Sequence, residues 1–414
     1  MRPTRVRYVV LALTVAAYAI TYMDRVVIST AVPSIQKEFG FSIVTMGWIL
    51  GSFRWAYSIF QLPMALLGDR YGPRRVLAGI VFWWSLLTSA TTAAWSAASM
   101  IAIRFLFGGG EAGAFPIATR SLSRWMLPSE RGFAQGVTHA GSRLGAALTP
   151  ALVAFIIATY GWRPAFISFG VLGVVWSIVW FWYYRDTPSE HPRANQAERA
   201  VIASKIGPQS GLGGVIPWRK ILSSRQMWLL AVIYFCYQYP LGVYIDWFPK
   251  YLNAERGFSL EKMGVYASMP LLAAVAGDVA GGWFSDVIAL RWNLRSARRT
   301  VASAGFLIGG AGIVAATLTP SPLQSVGYSC VAMFGLELTV GVSWAVPLDI
   351  GGDYAGTVSA VMNSFGNFGS AISTTLSGYL VKYYGWTPAF LVMAVMTFLA
   401  AGLFVKIDAG KRIC

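Results

Sequence analysis

Two short tracts place ionisable side chains where an apolar environment should exclude them. Tyr22-Met23-Asp24-Arg25 interrupts an apolar run from Val6 to Ala31, and the tract from Arg104 to Glu111 interrupts a later one. A charge at mid-bilayer costs roughly 2.5–3.5 kcal/mol even on lenient insertion scales, so neither tract is expected to face lipid. Each must look into a protein interior or a wet cavity, where the available chemistry is proton exchange and anion binding. A carboxyl group in such a cavity keeps or loses its proton according to what stands beside it, and a moving arginine partner would load or release that proton. Asp24 and Glu111 are the candidate proton carriers. Arg25 is the candidate for an anionic ligand, because guanidinium meets a carboxylate in bidentate fashion. Arg104 precedes Glu111 by two turns on the same helix face, with Gly108 leaving space between them, and is assigned to proton coupling. The competing accounts are a static ion pair locking helices and, for Arg25, pairing with Asp24 or snorkelling to the outer surface.

Other polar residues fall at helical spacing. Arg54, Tyr57 and Gln61 form one polar stripe on an apolar segment, with Arg54 towards its outer end and within reach of the headgroups. His139 and Arg143 are one turn apart, and so are Asn363 and Asn367. These pairs read as two walls of one cavity, amides opposite cations, with Ser142 and Ser370 adding hydroxyls. Interhelical hydrogen bonding is the alternative for the amides and serines. Trp344 could stack over the carbon face of a ligand or anchor at an interface. Asp246, Asp278 and Glu337 also fall inside apolar segments, and no role is assigned to them.

The elements that must hold these residues follow from composition. Of 414 residues, 56% are hydrophobic and 12% charged, against about 25% charged in soluble proteins. An all-α integral membrane protein follows, with twelve transmembrane helices predicted near 7–31, 45–67, 76–95, 98–120, 133–159, 162–184, 227–251, 263–287, 300–319, 323–345, 354–381 and 387–406. The polar stretch between them gives the predicted organisation: residues 1–184 a six-helix bundle, 185–226 a cytoplasmic linker with room for a surface helix, and 227–414 a second six-helix bundle. A net charge of +16 would suggest nucleic acid in a soluble chain, but Lys and Arg gather in every second loop. The positive-inside rule therefore explains it, with both termini cytoplasmic and no nucleic-acid partner. Cys236, Cys330 and Cys414 are too scattered for a disulfide framework or a metal site, and no cleavable signal is evident.

The two halves repeat. Tyr160-Gly161-Trp162-Arg163-Pro164-Ala165-Phe166 returns as Tyr384-Gly385-Trp386-Thr387-Pro388-Ala389-Phe390, and the same offset sets Gly145 on Gly369, His139 on Asn363 and Arg143 on Asn367. Parallel six-helix repeats place a binding site near the midplane between the halves, and rocking them gives alternating access.

Gly68-Asp69-Arg70-Tyr71-Gly72-Pro73-Arg74-Arg75, with a degenerate copy at Gly282-Trp283-Phe284-Ser285-Asp286, resembles the loop signature of the major facilitator superfamily. Here Asp69 is expected at a helix N-terminus, pairing with Arg70 and Arg74, and with Asp286 it would form a cytoplasmic gate. The Tyr22–Arg25 and Arg104–Pro116 tracts resemble the anion:cation symporter family within it, whose bacterial members carry hexuronates, aldonates, aldarates and other organic acids. That resemblance implies that Asp24 and Glu111 take protons while Tyr22, Arg25 and Tyr57 hold the substrate. It implies a proton-coupled symporter importing an organic anion, a sugar acid for preference, across the bacterial inner membrane. The alternative on the same fold is an exporter or antiporter of drugs or metabolites. No cofactor, metal or enzymatic activity is expected, and the working unit is expected to be a monomer. Glycine clusters without a strand–turn–helix context exclude a nucleotide site.

Overall fold

The computed structural model of the chain describes residues 3–127, 130–206, 217–291, 294–351 and 355–408. The described residues are helical throughout their ordered elements, with no strand among them. Lipid offers backbone N–H and C=O groups no partner, so a spanning segment has to close its own hydrogen bonds. The first half contains α1 (Val6–Phe39), α2 (Ile43–Tyr71), α3 (Pro73–Ala90), α4 (Ala97–Glu111) continued by α5 (Ala114–Trp125), α6 (Arg131–Tyr160) and α7 (Trp162–Tyr183). Short helices α8 (Gln196–Ile206) and α9 (Trp218–Ser223) lie in the connection. The second half contains α10 (Arg225–Asp246) continued by α11 (Phe248–Ala254), α12 (Leu260–Arg291), α13 (Leu294–Leu318), α14 (Pro322–Leu338) continued by α15 (Val340–Gly351), α16 (Ala355–Tyr384) and α17 (Trp386–Phe404). Among the described residues, ten helical segments are long and apolar enough to cross a membrane. The 29-residue α2 and the 30-residue α16 are not among the ten, and they pack along each other between the halves.

The packing repeats as the sequence does. α1 lies on α6 as α10 lies on α16, α2 on α4 as α12 on α14, and α3 on α7 as α13 on α17. The glycines that the repeat superposes do the same job. A Cβ on Gly145 would stand 2.6 Å from the Ala19 carbonyl of α1, and one on Gly369 would stand 2.4 Å from the Phe235 carbonyl of α10. Only a missing side chain lets these backbones cross so closely. Gly161 and Gly385, with φ of 85° and 83°, make the two equivalent turns into α7 and α17. That left-handed region is what the repeated Tyr-Gly-Trp tract supplies.

The two described chain ends lie near the connection. Thr4 hydrogen-bonds Asn195, and the Asp408 amide donates to Gln226. We call this end of the bundle the terminal face and the opposite end the far face. Between the halves, α2 packs on α16 and α6 on α12. The tight contacts lie towards the far face, where Gly47 and Gly51 meet Thr375, Gly47 also meets Gly378, and Gly264 meets Pro150, Ala151 and Ala154. Nearer the terminal face α6 and α12 part around an apolar groove of about 690 Å³, lined by residues including Ala140, Leu144, Val279 and Trp283. The tight contacts between the halves thus lie at the far face, and nearer the terminal face the groove separates α6 from α12.

The connection does not hang free. Glu198 of α8 is fully buried and accepts hydrogen bonds from the Val6 and Arg7 amides in the first turn of α1. His191, Ala194 and Ile202 are buried with it. A Gly145→Val variant should lose an amount of the order of the 1–3 kcal/mol typical of overpacking. Gly402→Val, where an added Cβ meets nothing within 4 Å, should melt like wild type when thermal unfolding is followed by tryptophan fluorescence in detergent.

Candidate functional site

Asp24 and Arg25 sit near the middle of α1, and Glu111 is the last residue of α4, where the fourth span breaks before resuming as α5 at Ala114. Gly113 and Pro116 explain the break locally, since proline cannot donate the next backbone bond. Gly108 explains the close approach: a Cβ there would stand 2.2 Å from the Phe53 carbonyl on α2.

Glu111 is fully buried and accepts a hydrogen bond from Arg25 Nε. The Arg25 guanidinium is boxed by aromatic rings, 4.9 Å from the Tyr22 centroid, 4.6 Å from Tyr57, 5.5 Å from Phe53 and 5.6 Å from Phe115. Such faces attract a cation and leave its edge for hydrogen bonding. Arg25 Nη2, Glu111 Oε2 and Asp24 Oδ1 are all buried and have no hydrogen-bond partner among the described residues. The other Asp24 oxygen accepts from Trp84 Nε1 at 3.1 Å. Arg25 therefore pairs with Glu111 rather than with its sequence neighbour Asp24, because consecutive helical residues point about 100° apart. Arg104 is 2% exposed and lies over Phe53 and Phe107, at 5.1 and 4.5 Å. It is within electrostatic reach of Glu111, Asp246 and Asp24.

The remaining residues distribute unevenly. Arg54 does not reach for headgroups. Its Nε and Nη2 donate to Asp246 at 2.5 and 3.0 Å, and Thr374 adds a bond to the same carboxylate at 2.6 Å. This buried cluster joins α2, α10 and α16 and fastens the halves towards the far face. Gln61 accepts from Asn367 Nδ2 at 3.0 Å, a second bond between α2 and α16. Asn363 is half-buried, with no hydrogen bond among the described residues.

Arg143 is not a free cationic wall. It forms a paired salt bridge with fully buried Glu337 of α14, in which Nη1 donates to Oε1 at 2.9 Å. Tyr237 donates to the same oxygen at 2.9 Å. His139 is exposed beside Tyr18 and Phe115. The Ser142 hydroxyl is spent on the His139 carbonyl of its own helix at 2.7 Å, and Ser370 is buried with no partner for its hydroxyl among the described residues. Trp344 donates to the Tyr234 hydroxyl at 3.0 Å and is 37% exposed.

At the terminal face Asp69 lies in the last turn of α2, not at a helix N-terminus. The anion at the start of α3 is Asp186, which accepts from the Arg74 amide at 3.1 Å and from Arg124 at 3.3 Å. Arg74 Nε turns instead to the Phe181 carbonyl, and Arg70 is exposed over Tyr71. The side chains of Asp69 and Asp286 lie outside the described residues. Two participants escape sequence reasoning: Asp246 and Glu337, whose partners are 192 and 194 residues away. The signal was present, since an acid within an apolar span requires a partner, but the sequence does not say which.

Truncating one member of the Arg54–Asp246 pair leaves a buried ion unanswered and should cost about 3–5 kcal/mol. Arg54→Met with Asp246→Leu should cost much less than the sum of the single changes. A thermal-unfolding double-mutant cycle checks this, and additive losses would show that the two side chains act independently.

The Major Facilitator Superfamily model matches residues 14–374. A probable sulfoacetate transporter of Cupriavidus necator is 37% identical over 383 residues, covering 92% of this chain and 89% of the relative. The hexuronate transporter of Bacillus subtilis is 32% identical over 408 residues, covering 95% and 94%. A crystal structure of a bacterial homologue of the human lysosomal transporter Spinster, inward-facing and unoccupied, superposes with a TM-score of 0.81 at 18% identity over 98% of this chain and 97% of that one. The repeated packing, the buried charges at mid-span and these relatives agree: the chain belongs to the Major Facilitator Superfamily, within its anion-transporting branch, and is a multi-pass membrane transporter rather than an enzyme.

Proposed function

We propose that the protein is a proton-coupled symporter importing an organic anion, with a sugar acid as the expected class, by alternating access between residues 1–184 and 227–414. The observation that carries the reading is the Arg25–Glu111 pair within its aromatic box, with a buried nitrogen of Arg25 and a buried oxygen of Asp24 left without a hydrogen-bond partner among the described residues. A guanidinium held by a resident carboxylate is poorly available to an incoming one. Protonating Glu111 would release Arg25 to the substrate carboxylate, and returning the proton to solvent would recapture it. Anion binding and proton binding then favour each other, which is what symport requires. Asp24 would carry a second proton, and Arg104 would tune both acids.

Tyr22, Tyr57 and Arg25 form the acidic end of the substrate site, while Gln61, Asn363, Asn367, His139 and Trp344 offer groups for hydroxyls along a sugar chain. The relatives support an organic anion, since their names span a sulfonated acid and a hexuronate. The Lys and Arg content of the terminal face supports placing that face in the cytoplasm of a bacterial inner membrane. On that placement the tightly packed far face corresponds to an inward-open form. Arg54 with Asp246 and Thr374 would be its outer latch, and Asp186 with Arg124 would anchor the inner loops. The working unit is a monomer, since both walls of the site come from one chain.

Proteoliposomes with an imposed pH gradient test this directly. Uptake of hexuronate or galactonate should rise when the outside is acidic, and should vanish when a protonophore collapses the gradient. If two protons accompany a monoanion, one net charge moves, worth about 2.3 kcal/mol per 100 mV. An inside-negative potential should then accelerate uptake. Glu111→Gln should lose gradient-driven accumulation at least tenfold while retaining substrate exchange. Arg25→Gln should lose binding by about 10- to 100-fold, the value of a charge-assisted contact. Gradient-insensitive uptake, or substrate efflux against the gradient, would favour an exporter or antiporter.

A further inference from the structure

Glu337 lies outside that account, and its position mirrors Glu111. Glu111 ends α4 where the fourth span breaks, and Glu337 stands one residue before the end of α14, where the tenth span breaks before resuming as α15 at Val340. Each acid is fully buried, and each holds one arginine: Arg25 from α1 and Arg143 from α6. The two arginines border one aromatic patch. Arg25 lies over Phe115, whose ring stacks on His139 at 6.3 Å, one turn before Arg143. Tyr22 lies under Arg25 and within electrostatic reach of Arg143. Each pair also leaves hydrogen-bonding capacity unused. Among the described residues Arg143 Nε has no hydrogen-bond partner, as Arg25 Nη2 has none, while Glu337 Oε2 is taken up by Arg143 Nη2 in the salt bridge.

We infer that Arg143 is a second anion subsite whose resident counter-ion, Glu337, is displaced by a second acidic group of the substrate, so that the protein selects small organic dianions. This rests on the symporter reading above and narrows its substrate class. Several features support exchange over a static lock. Arg143 belongs to the first half and Glu337 to the second, so relative motion of the halves acts on the bond between them. The pair stands beside the splayed portion of the α6–α12 interface, where Ala140 and Leu144 line the groove. Asp278 of α12 and His139 also lie within electrostatic reach of Arg143, and among the described residues neither has an ion pair or hydrogen bond to it. When the substrate's second acid engages Arg143, Tyr237 remains as a donor to Glu337, holding the displaced carboxyl group in place.

The test uses purified full-length protein and matched acids of equal chain length: galactarate with galactonate, and succinate with 4-hydroxybutyrate. Thermal-shift titration gives the ratio of affinities for diacid and monoacid in each pair. Wild type should prefer the diacid by about tenfold or more in at least one pair, the scale of one added charge-assisted bond. Arg143→Gln should bring that ratio close to one, and Arg143→Lys should keep part of it. Glu337→Gln should raise affinity for the diacid, because the competing carboxylate is gone. Should that variant fold poorly, Glu337→Asp, whose shorter side chain holds Arg143 less closely while Tyr237 is kept, should raise it to a smaller extent. The swap Arg143→Glu with Glu337→Arg separates the alternatives, since a static lock regains both stability and the diacid preference, whereas a subsite regains stability alone. A wild-type preference for monoacids, or a ratio unmoved by Arg143→Gln, overturns this inference while leaving the symporter reading intact. Binding of none of the four acids overturns both.

Discussion

An ion in the middle of a bilayer has to be answered by another ion, and the arrangement of this protein follows from how Arg25 and Glu111 answer each other. Taking both out of water is expensive, and their attraction barely repays it, so a buried pair of this kind contributes little net stability. What it does contribute is position. Arg25 is held against Tyr22 and Tyr57 because Glu111 is fixed at the break between α4 and α5. A bond that is costly to leave half-made, yet nearly neutral overall, is compatible with the exchange of partners proposed above.

The other two interior pairs act across the halves, at different depths. Arg54–Asp246 lies nearer the far face, within a cluster that also holds Thr374, and Arg143–Glu337 lies near mid-span. Between them runs the α2–α16 contact, sealed where Gly47 and Gly51 meet Thr375 and bridged by Gln61 and Asn367. Glycine permits this seam because dispersion between packed atoms falls off steeply with distance, and only a missing side chain brings two helices into direct backbone contact. The same device recurs at Gly145 and Gly369 within each half. Rigid bundles joined by a few polar contacts are suited to rocking as units. The connection adds a further restraint, since its acids Asp186 and Glu198 sit at the first turns of α3 and α1, where unpaired amides and the helix dipole favour an anion.

Much of this was legible in the residues. Hydropathy located the helices because the bilayer imposes one length and one secondary structure on any spanning segment. The twin Tyr-Gly-Trp tracts revealed the repeat, and the glycines they superpose perform equivalent crossings at Ala19 and Phe235. Asp24, Arg25 and Glu111 identified themselves by being ionisable where ions are unwelcome. The breaks of the fourth and tenth spans were not foreseen as breaks, since both were expected as continuous helices.

What the chain alone determined, then, was which residues must be inside and that each needs a partner, because burial of charge is a property of the residue and its apolar flanks. Which partner each one takes was decided by tertiary structure. Arg54 found Asp246 and Arg143 found Glu337 only because two repeats fold against each other and bring residues nearly two hundred positions apart within hydrogen-bonding distance. Helical periodicity fixes the face a side chain occupies, but the helix that meets this face is set by packing between bundles, to which no local pattern in the sequence is sensitive.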